Sequence, residues 1–213
     1  MPRKTALAVL LVPAVLALAA RPAVRLHFDS DAAGAAPAFL QFEGSPGIKS
    51  FWRVNPYENP LSTPNVVTQA FRGDAPGKWR FALSTQAGTF RDGRVSVGTT
   101  RLTRTNPCRS GVVLRYRDPE NFVAALYDFQ VSDVIVLSRR RGESRELFRS
   151  HFESLERGWT TVGLSGKGKN LAVTVSGRDV STGHDPDPER GRAGLVAETG
   201  CLQAFDELVI SPE

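Results

Sequence analysis

From Ala23 to its end the chain is a succession of short apolar or alternating runs, each closed by glycine, proline, asparagine or aspartate. Side chains of an extended strand point alternately to its two faces, so an apolar residue at every second position marks a strand with one buried side. Arg94-Val95-Ser96-Val97 follows Asp92-Gly93 in this form. In Ser110–Asp118, Val112, Leu114 and Tyr116 fall on one face, and Val113, Arg115 and Arg117 on the other. Asp118-Pro119-Glu120-Asn121 then turns the chain, because proline presets φ while aspartate and asparagine side chains satisfy turn amides. Phe122 to Phe129 and Asp133 to Arg140 continue as strands up to Gly142, which makes a meander. Leu171, Val173 and Val175 alternate with Ala172, Thr174 and Ser176 between Gly168 and Gly177. The end reads as a hairpin: Ala193 to Ala197, a turn at Thr199-Gly200, then Leu202 to Ile210. The expected fold class is all-β, two antiparallel sheets packed as a sandwich.

One segment competes. Glu143 to Arg157 has no glycine or proline, and Phe148, Phe152 and Leu155 sit at i, i+4 and i+7, which is helical spacing. Its Ser-, Thr- and Gly-rich surroundings favour strands. Asn55 to Pro64, rich in proline, reads as a long loop between strands. No internal repeat and no domain-separating linker is visible, so residues 21–213 are expected to form a single domain.

Residues 1–20 read as a secretory signal: Arg3 and Lys4, an uncharged apolar run of 15 residues from Ala6 to Ala20, then small residues at its end. The run is short for a membrane span, which needs roughly 20 residues, and Pro13 lies within it. The chain is therefore expected to be secreted or periplasmic, with no stable span after cleavage. Export bears on the two cysteines, Cys108 and Cys201: an oxidising compartment favours a disulfide, and two separate buried thiols are the alternative. The formal charge is +5, with two of the cations inside the first twenty residues. That mild balance argues against nucleic acid as a partner, because the densest basic cluster, Arg139 to Arg141 before Gly142, reads as a solvated hairpin end.

A family resemblance rests on a series of segments in order: Phe90-Arg91-Asp92-Gly93-Arg94-Val95-Ser96-Val97, Ser110 to Phe122, Gly158-Trp159-Thr160-Thr161-Val162, Gly191 to Val196, and Ala204 to Ile210. Together with the opening Leu26-His27-Phe28-Asp29, they resemble the concanavalin A-like (laminin-G-like) jelly-roll superfamily, near its exported 3-keto-disaccharide hydrolase-like group. The resemblance implies a jelly-roll sandwich. After Leu195 the chain departs from the pattern, with Val196-Ala197-Glu198-Thr199 and an added Cys201. The resemblance also implies a structural Ca2+, held by an aspartate of the last strand, here Asp206, near Asp29.

Hydrolases of the laminarinase type carry Glu, Asp and Glu at alternate positions of one strand, so that nucleophile and acid face one cleft. No such run occurs here, and Glu153 and Glu156 lack the central aspartate. His27, His151 and His184 form no metal pair, and no Gly-x-Ser-x-Gly elbow is present. Asp185, Asp187 and Glu189 alternate with prolines and read as a solvated turn rather than a calcium loop.

Sugar recognition needs flat apolar faces and planar hydrogen-bonding groups. Trp52, Trp79, Tyr116 and Tyr127 supply the first, Arg115 and Arg117 the second; the competing role for the rings is to anchor the core. The arginines alternate with apolar residues, which places them on a solvent-facing side. Candidate ligand contacts are therefore Arg115, Arg117, Tyr127, Trp52 and Trp79. The expected function is that of an exported lectin-like domain binding carbohydrate without catalysis. The alternatives are an enzyme acting on 3-keto-glycosides and a structural or adhesion module.

Overall fold

The computed structural model describes residues 22–69, 77–105, 107–153 and 158–213. The signal segment expected at residues 1–20 lies outside them, as do Leu155 and Glu156. The described residues form fifteen strands: β1 Val24–Leu26, β2 Leu40–Gly44, β3 Trp52–Pro56, β4 Asn65–Gln69, β5 Trp79–Ser84, β6 Gly93–Arg101, β7 Arg109–Asp118, β8 Asn121–Asp128, β9 Asp133–Arg140, β10 Glu143–His151, β11 Thr160–Lys167, β12 Asn170–Val175, β13 Arg178–His184, β14 Arg192–Glu198 and β15 Gln203–Pro212. No helix long and apolar enough to cross a membrane occurs among the described residues.

The strands make two antiparallel sheets. One has eight strands in the order β13-β12-β11-β6-β15-β4-β3, with β1 also paired to β15; the other has seven, in the order β10-β9-β8-β7-β14-β5-β2. Their inner faces meet in a core built from the alternating residues: Val95 and Val97 of β6, Leu171, Val173 and Val175 of β12, and Val112 and Leu114 of β7 are all buried there. The meander is present as β7, β8, β9 and β10 in sequence. Its first turn closes as the aspartate chemistry requires, Asp118 Oδ1 accepting from the amide of Glu120 at 2.8 Å.

Of the two readings of the segment around Phe148, the strand is the one realised: β10 pairs with β9 through Phe148 and absorbs one register shift between Glu146 and Phe148. Two expectations are corrected. The last two strands are not a hairpin: β14 sits between β7 and β5, while β15 crosses to the other sheet. Tyr116 does not share a face with Val112 and Leu114. Arg115 adopts φ of 56°, a left-handed conformation, and the register of β7 on β8 shifts between Leu114 and Asp118. This bulge sends Tyr116 to the outer face with Val113 and keeps Arg115 inside.

Candidate functional site

The residues singled out from sequence do not converge. Trp52 is 1% exposed and packs on Phe42 and Phe205 in the core, its indole N–H donating to Ser50 Oγ at 2.8 Å. Tyr127 also points inward and donates its hydroxyl to the Phe152 carbonyl at 2.9 Å. Trp79 lies on the outer face of the seven-stranded sheet and is buried. Arg117 is partly exposed and pairs with Glu189 and Asn121.

The solvent-facing placement of Arg115 is overturned, since its residue is only 1% exposed. Its Nε donates to the Arg91 carbonyl at 2.9 Å, Nη1 to Asp185 at 2.8 Å and Nη2 to the Gly168 carbonyl at 2.6 Å. Asp185 is fully buried, not part of a solvated turn, and its other oxygen meets Arg140 at 3.0 Å. A buried charge needs both a counter-charge and a full set of hydrogen bonds, and this cluster supplies both. Gly166 makes room for it: a Cβ there would lie 2.8 Å from the Arg115 guanidinium.

Asp206 and Asp29, the candidate calcium ligands, are engaged by protein donors. Asp206 accepts from the Ser62 amide at 2.7 Å, the Ser62 hydroxyl at 3.0 Å and the Glu207 amide at 2.8 Å; Asp29 accepts from the Asn65 amide at 3.2 Å. Burial pushes the Asp206 carboxyl up against those donors. The loop between β3 and β4 is thus fastened over the outer face of the eight-stranded sheet, where Trp159 donates to the Asn59 carbonyl at 2.7 Å. Among the described residues no group of three or more His, Cys, Asp or Glu is assembled to hold a metal.

The outer face of the seven-stranded sheet carries a second apolar cluster: Trp79, Phe81 and Leu83 of β5, Val113 and Tyr116 of β7, Phe122, Ala124 and Leu126 of β8, and Val196 of β14. Phe81 packs against Tyr116 and Phe122 with ring centroids 4.7 and 5.0 Å apart. Such tilted pairs contribute about 0.5–1.5 kcal/mol each beyond the area they bury. These rings are closed to solvent, so what the face offers is its polar rim.

At one end of the rim, Arg192 bridges two side chains of β2. It pairs with Glu43, donates from Nη1 to the Gln41 side-chain oxygen at 2.8 Å and lies over the Tyr116 ring, 5.5 Å from its centroid. Tyr116 donates its hydroxyl to the other Glu43 oxygen at 2.7 Å. Burial, reinforced by that carboxylate, holds the Tyr116 phenol above the usual tyrosine range, so it stays a donor. The side chains of Arg192 and Glu43 are 24% and 25% exposed, open enough for a ligand and firmly held. Sequence reading missed Arg192, Glu43 and Gln41. A parity signal existed, since Gln41 and Glu43 alternate with Leu40 and Phe42, and Arg192 precedes the inward Ala193. The neighbourhood of β2, β5 and β14 that unites them was not written locally.

At the other end Arg109 Nε lies 3.0 Å from Asp128 and 3.5 Å from Glu198. Glu198 is buried and accepts from the Gly77 amide at 2.9 Å. Burial pushes its carboxyl up, against the opposing pull of Arg109 and of the Gly77 amide. A carboxyl whose folded pKa is raised stabilises the fold fully below its unfolded pKa, and that contribution is lost as pH rises through the folded value. Glu198→Gln keeps an oxygen for Gly77 and removes the ionisation. Its unfolding midpoint should match that of the parent near pH 4 and exceed it increasingly towards about pH 8, as thermal unfolding across that range would register; a gap constant with pH would contradict this.

No protein-family model matches the chain, and no curated protein matches it in sequence. Solved structures do match in shape. The carbohydrate-binding module CBM66 from Bacillus subtilis aligns with a TM-score of 0.61 at 14% identity, over 80% of this chain and 95% of that one. The Ca2+-bound exoplasmic/lumenal domain of VIP36 aligns with a TM-score of 0.59 at 12% identity, over 89% and 90%. A β-glucanase from Bacillus licheniformis aligns with a TM-score of 0.57 at 12% identity, over 90% and 98%. At these identities the likeness is one of fold. Two antiparallel sheets stacked in this order, matched over most of each of these chains, make this a jelly-roll sandwich, concanavalin A-like in fold.

Proposed function

We propose that residues 21–213 form an exported, non-catalytic carbohydrate-binding domain that uses the rim of the seven-stranded sheet. The observation carrying this reading is the Arg192–Glu43–Gln41 array above the Tyr116 ring. Vicinal hydroxyls of a sugar both donate and accept, and a guanidinium beside a carboxylate and a carboxamide answers both needs. Each member is held by another, so little side-chain entropy is lost when a ligand docks. The names of the structures similar in fold, a carbohydrate-binding module among them, support the ligand class. Export is supported by the apolar run at residues 6–20 and by the Cys108–Cys201 disulfide. For catalysis the rim is poorly equipped: Glu43 is neutralised by Arg192, and Glu198 is sealed from solvent.

Affinity electrophoresis through gels containing neutral polysaccharides tests this. Retardation by at least one of them is expected. Arg192→Ala should weaken it about tenfold or more, the loss of one charge-assisted hydrogen bond, with the unfolding midpoint little changed. Free migration in every gel, or retardation unaltered by Arg192→Ala and Glu43→Gln, would remove the reading.

A further inference from the structure

A cavity of about 570 Å3 opens at one end of the sandwich, away from the Arg192 rim. Its described walls include Arg101, Arg104, Tyr127, Glu153 and Thr160. We propose that this cavity is a separate binding site for a monosaccharide bearing a carboxylate, a hexuronic acid. The volume is that of a small-molecule site, roughly 300–1,000 Å3.

The charge argument rests on the arginines. Arg101, at the end of β6, donates from Nη1 to the Phe129 carbonyl at 2.7 Å, and this uses one of its five N–H groups. Neither Arg101 nor Arg104 forms an ion pair with a carboxylate of the described residues, whereas Arg109, Arg115, Arg117, Arg140, Arg149 and Arg192 all do. A guanidinium that forms no ion pair among the described residues and stands beside a cavity is suited to the planar carboxylate of a ligand, which it can grip through two parallel bonds.

The remaining walls specify a sugar rather than a bare anion. Glu153 opposes any anion, and only a ligand that also brings hydroxyls for its carboxylate to accept from offsets that repulsion. The Thr160 hydroxyl, on a residue 1% exposed, has no hydrogen-bond partner within the protein. Tyr127, its own hydroxyl committed to Phe152, contributes only its ring.

The site is built in advance. Leu102 and Leu202 are joined by a backbone hydrogen bond of 2.8 Å, the Leu202 amide donates to Thr103 Oγ1 at 3.1 Å, and Thr105 donates to the Gly200 carbonyl at 2.8 Å. The Cys108–Cys201 disulfide closes the same junction. Arg101 therefore ends a strand and Arg104 stands on a loop tied to the turn opposite, so ligand binding need not order them.

Isothermal titration of the protein with D-glucuronate, with D-glucose and inorganic phosphate as controls, tests the proposal. Glucuronate should bind with an affinity that falls as salt is added, glucose at least about tenfold more weakly, and excess phosphate should not displace it. Arg104→Ala, at an exposed position, should lower glucuronate affinity about tenfold while leaving the unfolding midpoint unchanged; Arg101→Lys should do the same through loss of the fork. No heat with glucuronate, equal binding of glucose, displacement by phosphate, or unchanged affinity in both variants would each overturn the assignment. The site stands apart from the Arg192 rim: Arg192→Ala should leave glucuronate binding intact and Arg104→Ala should leave neutral-polysaccharide retardation intact, so either site can fail alone.

Discussion

Replacing Arg115 with methionine is expected to destabilise the protein by about 3–5 kcal/mol, because it leaves a buried carboxylate without its closest counter-charge. Asp185 is sealed, and its Oδ2 lies 2.8 Å from Arg115 Nη1. Arg140 remains on the far oxygen, but its side chain is 22% exposed and already donates to the Phe122 and Arg139 carbonyls. The substitution also strips hydrogen bonds from the carbonyls of Arg91 and Gly168, which lie in two other turns. Three loops that share no sequence neighbourhood thus lose one common fastener. Asp185→Asn should cost less, since an amide oxygen still accepts from Arg115. The double variant Arg115→Met with Asp185→Leu should recover much of the loss, because a matched apolar pair carries no buried charge. Urea denaturation of the three variants measures this. A loss below about 1 kcal/mol in Arg115→Met, or a double variant no more stable than Arg115→Met alone, would mean that the cluster is not what holds these loops.

That same arginine shows where sequence reading stops. The alternation in Ser110–Asp118 correctly gave a strand, and Val112, Leu114 and Val113 point where period two places them. Nothing in Arg115 announces φ of 56°, a conformation that favours glycine or asparagine, so period two fails from Arg115 onward and misplaces both Arg115 and Tyr116. The conformation is held from outside the strand. Gly191 allows it: a Cβ there would sit 2.4 Å from the Arg115 carbonyl carbon, so only glycine lets the two backbones approach so closely. A bulge maintained by residues far along the chain leaves no local signature.

Local chemistry was legible elsewhere. The turns at Asp118–Asn121 and Gly142 carry their own dihedral and hydrogen-bonding demands, and the meander follows from them. The sheet to which a strand belongs is a different kind of information. Thr199-Gly200 looks like a hairpin turn because a short turn and a crossing between sheets use the same residue types. β14 and β15 lie in different sheets because their inward residues, Leu195 and Phe205 among them, fill the core from opposite sides. The Arg192 rim suffers the same limit, since Glu43 and Arg192 are 149 residues apart and meet only once β5 stands between β2 and β14.

The crossing from β14 to β15 is also where the disulfide acts. Cys108 and Cys201, both fully buried, join the start of β7 to the turn where the chain leaves the seven-stranded sheet for the other. The bond closes a span of 93 residues. A loop of that size is worth about 4–5 kcal/mol in the chain-entropy account, a value that acts by restricting the unfolded chain. Replacing both cysteines by alanine should therefore lower the thermal midpoint by about 10–15 °C, at about 2–4 °C per kcal/mol for a domain of this length. Because the cost falls on the unfolded state, the folded state should change little. The hydrogen bonds between Leu102, Thr103 and Leu202 remain, and the amide proton–nitrogen correlation spectrum at about 20 °C, well below the lowered midpoint, should overlay that of the parent away from the two replaced cysteines. Glucuronate affinity should hold as well, since the loop carrying Arg104 keeps its ties. A drop in midpoint under about 3 °C would show that the unfolded chain gains little freedom when the bond is absent. An altered spectrum would show instead that the bond shapes the native junction, and the account by chain entropy would have to be given up.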